Sequence, residues 1–329
     1  MFVGRDNELE ALEELYASDT FQFPVVYGRR RVGKTSLLRR FTEGKENVVF
    51  FTAQEATIAE NLVLLSREIS KEQGSLLPEG FPVYQSLYQA FEEVFRRAAS
   101  KRLIFVIDEY PYLAKSDTSA SSALQTLIDN NQASSKLLLV LCGSSLSFME
   151  HQVLGRQSPL YGRRTAQLRI DPFTAFDAAK MLPEASPQRV IELYSIAGGV
   201  PLYLSQLDGS KSTEWNIAQK VFRQDSILYE EPRAYLHQET RSPAAYNSII
   251  AAIANGRVRP SEISDATSIP SSAVSRYLES LIELKIIERC MPMVLGNKKQ
   301  VVYRISDNLF RFWFRFVDRK STRLNSSHI

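Results

Sequence analysis

Residues Gly28-Arg29-Arg30-Arg31-Val32-Gly33-Lys34-Thr35 have the spacing G-x-x-x-x-G-K-[ST], and the apolar run Phe23-Pro24-Val25-Val26-Tyr27 stands directly before them. Strand, glycine-bounded loop and helix in that order admit few folds, because the loop must wrap backbone N–H groups around phosphate at a helix N-terminus. The two glycines let those N–H groups turn inward. Lys34 is placed to neutralise β/γ oxygens and Thr35 to hold Mg2+. Ser36 to Phe41 continues as an amphipathic helix. Gly28, Arg29, Arg30, Arg31, Val32, Gly33, Lys34, Thr35 and Ser36 are therefore the expected phosphate cradle, with a nucleoside triphosphate as its ligand. A chance glycine turn is the alternative, and the strand and helix flanking the loop argue against it. The motif names no task for the nucleotide.

Alternation of strand-like and helical segments continues downstream. Val48-Val49-Phe50-Phe51 reads as a strand, Thr57 to Lys71 and Tyr84 to Ala98 as amphipathic helices, and Leu103-Ile104-Phe105-Val106-Ile107 and Leu137-Leu138-Leu139-Val140-Leu141 as buried parallel strands. The pattern implies a doubly wound α/β sheet over residues 1–172. From Asp171-Pro172-Phe173 it turns helical, with Ala175 to Met181, Pro187 to Ala197 and Thr213 to Phe222 forming an expected lid subdomain over 173–240. Residues 241–306 outline a winged helix-turn-helix. Helices Ala244 to Ala254, Pro260 to Thr267 and Ser271 to Leu284 precede the strand-like Ile286 to Arg289 and Val301 to Ile305, joined by a wing loop with Gly296-Asn297-Lys298-Lys299.

The run Leu309-Phe310-Arg311-Phe312-Trp313-Phe314-Arg315-Phe316-Val317 holds too many aromatics to lie uncovered, so 307–317 reads as the start of a further C-terminal domain. Residues 318–329 resemble an in-frame translation of a sequencing-library adapter, and the natural protein is expected to continue past Val317. The net charge of +3 rests largely on that tail, whose three cations and one anion account for two of the three charges. A near-neutral chain gives no global argument for nucleic acid. No apolar run approaches the ~18 residues of a membrane helix, and the N-terminus has no signal-peptide pattern, so no membrane partner is expected and the cytoplasm is the expected compartment. Cys142 and Cys290 sit in apolar runs and read as buried free thiols.

Asp108-Glu109 directly follows the apolar run from Leu103, which puts both carboxylates at the carboxyl end of a strand, where open α/β sheets bind ligands. Asp108 is expected to hold Mg2+ through its water shell and Glu109 to act as general base on the attacking water. A solvated helix cap is the alternative for such a pair. Leu137 to Leu141 ends in Cys142-Gly143-Ser144-Ser145, so Ser144 either senses the γ-phosphate, positions water or caps a helix. Arg163 and Arg164 precede another strand-like segment, where an arginine could stabilise γ-phosphate charge in cis or across a subunit contact, or merely charge the surface.

Phe2-Val3-Gly4-Arg5, the Gly28 to Thr35 loop, Val106-Ile107-Asp108-Glu109-Tyr110-Pro111, Cys142-Gly143-Ser144-Ser145, Ser158-Pro159-Leu160-Tyr161-Gly162-Arg163-Arg164 and Gly198-Gly199-Val200-Pro201-Leu202-Tyr203 occur in that order. Together they resemble the archaeal-type ATPase family, within the AAA+-related STAND class of signalling NTPases, over about residues 1–317. The resemblance implies an AAA+-like parallel sheet with a helical lid and a winged helix. It places Val3 and Arg5 near adenine and phosphates, makes Asp108 and Glu109 the Walker B pair and Ser144 a sensor, and packs Pro201 on the nucleotide from the lid. Gly198-Gly199 and Pro201 also read as a helix stop followed by a new start. Relatives often carry a further C-terminal domain resembling restriction-type nucleases, which is absent here.

ATP is expected over GTP, mainly on the resemblance and because the guanine-reading Asn-Lys-x-Asp is missing; Asn297-Lys298-Lys299-Gln300 lacks the Asp. Two functions follow. One is a slow Mg2+-dependent ATPase acting as a conformational switch. The other is an ATP-modulated regulator that binds double-stranded DNA through Ser272, Ser275 and Arg276, with Lys298-Lys299 on phosphates. Glu279 and Glu283 share that helix and favour docking within the chain, on a protein partner or on a second copy over DNA. A small-molecule kinase would need an acceptor pocket with its own base, and none can be named.

Overall fold

Unbroken apolar runs form the central strands because a parallel strand covered on both faces has no side to give to water. They are β1 (Pro24–Tyr27), β2 (Val48–Thr52), β3 (Leu103–Asp108) and β4 (Leu137–Gly143), joined by the shorter β5 (Ala166–Arg169). The computed structural model describes residues 2–72, 80–291 and 301–326. The five strands lie in the order β2-β3-β4-β1-β5 and every pairing is parallel. Tyr27 stands opposite Gly143 on one side and Arg169 on the other, while Thr52 stands opposite Asp108.

Strand period two divides the core into two layers. Val25, Phe105, Ile107, Leu139 and Leu141 face one layer; Val26, Ile104, Val106, Leu138 and Val140 face the other. The first is closed by α3 (Ile58–Glu72), α4 (Leu87–Ala98), α5 (Tyr110–Ser116) and α6 (Ala120–Asn131), through Leu65, Phe91, Val94, Leu113 and Leu124. The second is closed by α1 (Asp6–Ala17) and α2 (Lys34–Thr42), through Leu12, Leu37, Leu38 and Phe41. Each such side chain contributes roughly 1.5–3 kcal/mol on burial. After β4 come α7 (Leu146–Phe148) and a π-helical turn, Met149–Val153.

This sheet unit, Met1–Asp171, is one of two compact units; the other is Pro172–Ile329. The second unit opens with α8 (Ala175–Met181), α9 (Pro187–Ala197), α10 (Pro201–Leu204), α11 (Thr213–Asn216) and α12 (Ile227–Glu239). It continues with α13 (Pro243–Ala254), α14 (Pro260–Thr267), α15 (Ser271–Glu283), the antiparallel pair β6 (Ile287–Cys290) and β7 (Val302–Ile305), and α16 (Asn308–Ser326). Helices α13 to α15 with the β6–β7 ribbon make the winged helix. The wing loop, including Lys298 and Lys299, lies outside the described residues.

Three details differ from the sequence reading. The helix expected from Thr213 to Phe222 is α11 followed by a π-turn at Ile217–Val221. In the aromatic run at 309–317, Leu309, Phe310, Trp313, Phe314 and Val317 are buried in the same core as Phe173, Leu236 and Leu281, whereas Phe316 is exposed. Cys142 and Cys290 are free, but only Cys142 is buried. Among the described residues no helix is long and apolar enough to cross a membrane.

Candidate functional site

The carboxyl edge of the sheet gathers the loop after β1, the acidic pair after β3 and the serine after β4. Gly28 passes so close to β5 that a Cβ would overlap the Ile170 carbonyl, whose own N–H donates to Tyr27 O at 2.7 Å. At the far end of the loop Gly33 caps α2 with φ 92°, in the left-handed region that favours glycine. Arg31 holds φ 73° without that freedom. Such alternation of right- and left-handed residues turns successive N–H groups to one side, a concavity suited to an anion.

Lys34 fills this concavity from the first turn of α2. It is 5% exposed, and its Nζ donates to Gly28 O and Arg29 O, each at 2.9 Å. Burial drives its pKa below the ordinary lysine value, opposed by Cys142, Glu109 and Asp108 nearby. A desolvated ammonium held by two carbonyls gains strongly when phosphate oxygens replace them. Arg29 is buried beside it, and Arg30 donates to the Tyr112 hydroxyl of α5 at 2.6 Å. Val32 is a core residue at 0% exposure, while Ser36 is exposed on the outer side of the first turn.

Thr35 Oγ1 donates to Asp108 Oδ2 at 2.8 Å. A hydroxyl and a carboxylate side by side are the hard oxygens that Mg2+ takes alongside phosphate and water, so the residues present fit that ion. Asp108 is 1% exposed and also accepts the N–H of Glu109 at 3.1 Å. Burial foremost, then the charge of nearby Asp108, pushes the Cys142 thiol pKa well up. Cys142 and Tyr112 are the site residues that sequence reasoning missed. Cys142 is the last residue but one of β4, two residues before Ser144, and that proximity to the strand end could have found the thiol.

Glu109 caps α5 in left-handed geometry, φ 52°, without a side-chain cap bond. Its carboxylate turns instead to the neighbouring strand end, where Oε2 accepts Ser144 Oγ–H at 2.8 Å and Ser144 N–H at 3.3 Å. The helix-cap alternative therefore describes neither side chain; the cap of α7 is Ser145.

Arg5 also reaches the loop, donating to Val32 O at 3.0 Å and to Asp171 O at 2.6 Å, with Val3 half-buried just before it. Arg163 and Arg164 do not reach the loop. Residues preceding a parallel strand lie at its amino edge, and Thr165 N–H donates to Phe23 O there. The four-residue strand β5 then separates these arginines from the loop by about 13 Å. Arg163 grips Asp129 through two bonds of 2.7 Å, and Arg164 donates to Leu154 O at 3.4 Å. The in-cis γ-phosphate role is corrected accordingly. Pro201 belongs to the second unit, where Gly198 caps α9 at φ 70° and Pro201 opens α10, the stop and start read from the sequence.

A family model described as an ATPase domain predominantly from Archaea matches residues 2–207. The IclR helix-turn-helix domain matches 248–289. An uncharacterized protein of Methanocaldococcus jannaschii is 34% identical over 319 residues, 96% of this chain and 69% of that one. An uncharacterized ATP-binding protein of the same organism is 48% identical over 46 residues, 14% of this chain and 78% of that one. Among solved structures, a Walker-type ATPase of Pyrococcus abyssi shares the fold at TM-score 0.69 and 21% identity, with 96% of each chain covered. The ORC2 protein of Aeropyrum pernix, solved as ADPNP-ADP complexes, does so at 0.57 and 15%, covering 98% of this chain and 95% of that one. The loop, the acidic pair and the helix-turn-helix thus stand in a chain that belongs to the family of ATPase domains found predominantly in Archaea.

Proposed function

We propose that this chain binds ATP with Mg2+ and hydrolyses it slowly, as a nucleotide-driven conformational switch. The observation that carries the reading is the convergence at one sheet edge of buried Lys34, the Thr35–Asp108 pair and Glu109. In this reading the loop N–H groups and Lys34 bind β/γ oxygens, and Thr35 and Asp108 hold the metal. Mg2+, when bound, neutralises charge on the phosphates. Glu109 takes the proton of a water that attacks the γ-phosphorus, while the bond to the β,γ-bridging oxygen breaks and ADP leaves.

The test is Mg2+-dependent phosphate release from ATP by the full chain, against Lys34→Ala and Glu109→Gln. Lys34→Ala is expected to abolish binding. Glu109→Gln is expected to keep binding and lose about 10²–10³-fold in turnover, as removal of a general base does. Turnover that survives Lys34→Ala would remove the enzymatic reading, and equal displacement of ATP by GTP would remove the base assignment.

A second reading is an ATP-modulated DNA-binding regulator. It draws on the helix-turn-helix match and on α15, where Ser272, Ser275 and Arg276 are exposed. Glu279 and Glu283 are exposed on the same helix and oppose a phosphate backbone. Salt-dependent affinity for duplex DNA that falls in Arg276→Glu would favour it; affinity indifferent to that change would not.

A further inference from the structure

The chain passes from the first unit to the second over two exposed residues, Asp171 and Pro172. Before them, Ile170 is buried in a core of the sheet, its N–H donates to Tyr27 O at 2.7 Å, and its carbonyl lies against Gly28, the first residue of the phosphate loop. After them, Phe173 is buried in the core of the second unit. With only two residues between these anchors, the passage has little slack.

Hydrogen bonds clamp it at both ends. Arg5 donates to Val32 O at 3.0 Å and to Asp171 O at 2.6 Å, both from Nη2. One nitrogen of a rigid, planar guanidinium thus ties the end of the phosphate loop to the last carbonyl of the first unit. In the second unit the Tyr194 hydroxyl donates to Phe173 O at 2.9 Å, and Phe173 N–H donates to Gly199 O at 2.7 Å. A Cβ on Gly199 would overlap the Phe173 carbonyl, so this glycine is what lets the two backbones approach. Between the clamps stands Pro172, whose ring fixes its own φ and holds the residue before it in extended backbone.

We propose that Asp171-Pro172 is a rigid joint that carries the nucleotide state of the loop into the second unit, with Arg5 as the clamp at the loop and Tyr194 with Gly199 as the clamp beyond it. This rests on the switch reading and supplies its route. A loop that closes on phosphate draws Val32, and with it Arg5 and the Asp171 carbonyl. Proline permits no compensating φ rotation before Phe173, so the displacement arrives at Tyr194 of α9 and at Gly199, just before α10.

The experiment measures amide exchange in α13 to α15 of the full chain with Mg2+ and saturating ATP or ADP, at labelling times short against turnover, together with kcat and ATP affinity. The proteins are wild type, Pro172→Gly, Pro172→Ala and Tyr194→Phe. No contact links Pro172 or Tyr194 to the loop or the acidic pair, so kcat and affinity are expected within about twofold of wild type. The difference in exchange between ATP and ADP is expected to shrink at least about fourfold in Pro172→Gly, which frees φ, and about twofold in Tyr194→Phe, with Pro172→Ala between wild type and Pro172→Gly. A difference of wild-type size in Pro172→Gly or in Tyr194→Phe would overturn the joint. A shrinkage matched by an equal loss of affinity would overturn it as well, because these residues would then act on the nucleotide site itself. Should Pro172→Gly not fold, Tyr194→Phe and Pro172→Ala carry the same decision. Wild-type protein that hydrolyses ATP with no difference between ATP and ADP in α13 to α15 would instead overturn the switch reading, and this inference with it.

Discussion

Lys34 is the residue whose cost to the fold is clearest. Its ammonium is almost out of water and its pKa is lowered by that burial, so the unfolded chain holds this proton more tightly than the folded one. Between the lowered value and the ordinary 10.5, the unfolded state binds more protons, and this group's contribution to stability rises with pH. Lys34→Met fills similar volume without a charge. It is expected to abolish nucleotide binding, leave the melting temperature equal or higher, and erase that rise relative to wild type. Urea midpoints for both proteins from pH 8 upward check this; a clear loss of stability in Lys34→Met would show that the two carbonyl bonds outweigh the desolvation. The cradle and the acidic pair were legible because each is fixed by spacing within a few residues of one strand. The Ser144–Glu109 bond was not, since the residues are 35 apart and meet only through the β3–β4 register. Arg163 and Arg164 stand away from this loop for a related reason: a residue before a strand and one after it sit at opposite edges, so of their alternatives only the in-cis role at this loop is spoken against.

At the scale of elements, α4 is tied to α3 by charge as well as by its apolar face. Glu93 receives Arg96 at 2.8 and 2.7 Å and Arg97 at 2.7 Å, and Arg97, nearly buried, also donates to Ile69 O of α3 at 3.0 Å. The Arg96 bonds foremost, with Arg97 behind them, hold the Glu93 carboxyl down at about 2. A lowered carboxylate contributes stability that is complete above the ordinary 4.5 and lost as pH falls through about 2. Glu93→Gln is expected to cost on the order of 2 kcal/mol at neutral pH and to flatten acid unfolding in that window, read by circular dichroism. In α16, Trp313 is 1% exposed and donates Nε1–H to Tyr229 O at 2.7 Å, so Trp313→Ala should destabilise the second unit by about 3–5 kcal/mol. Nucleotide binding at the loop that disappeared together with that helix would contradict a site built within the first unit. Elements with a single clear period were legible to within a few residues, among them β2, β3, α8, α9, α14 and α15. Three of those missed had a physical reason. Helix α5 is seven residues long with Pro111 in its first turn, α12 contains Pro232, and the π-turn after α11 has no side-chain period to announce it.

A switch makes a demand on the whole molecule that a binding site does not. ATP at a hundred times its Kd stabilises the unit that binds it by about 2.7 kcal/mol, and that free energy does nothing for the winged helix unless part of it reaches residues 172–326. The two units have separate hydrophobic cores, the first on both faces of the sheet and the second running from Phe173 to Val317. Local opening can therefore be followed in each of them. With ATP and Mg2+, amide exchange is expected to slow in β1, α2 and the start of α5, where the loop and Glu109 are held. If the nucleotide drives the second unit, exchange in α13 to α15 must change as well, must differ between ATP and ADP, and must return to the unliganded pattern in Lys34→Ala. Glu109→Gln separates the two halves of the cycle: it should hold the ATP pattern indefinitely where wild type decays toward the ADP pattern at the hydrolysis rate. Hydrogen exchange read by mass spectrometry decides the matter. Protection confined to the first unit under every nucleotide would sink the switch and leave an ATPase domain with no lever on its helix-turn-helix, whereas an ATP-specific change in α15 that decays with turnover would tie hydrolysis to the surface that carries Ser272, Ser275 and Arg276.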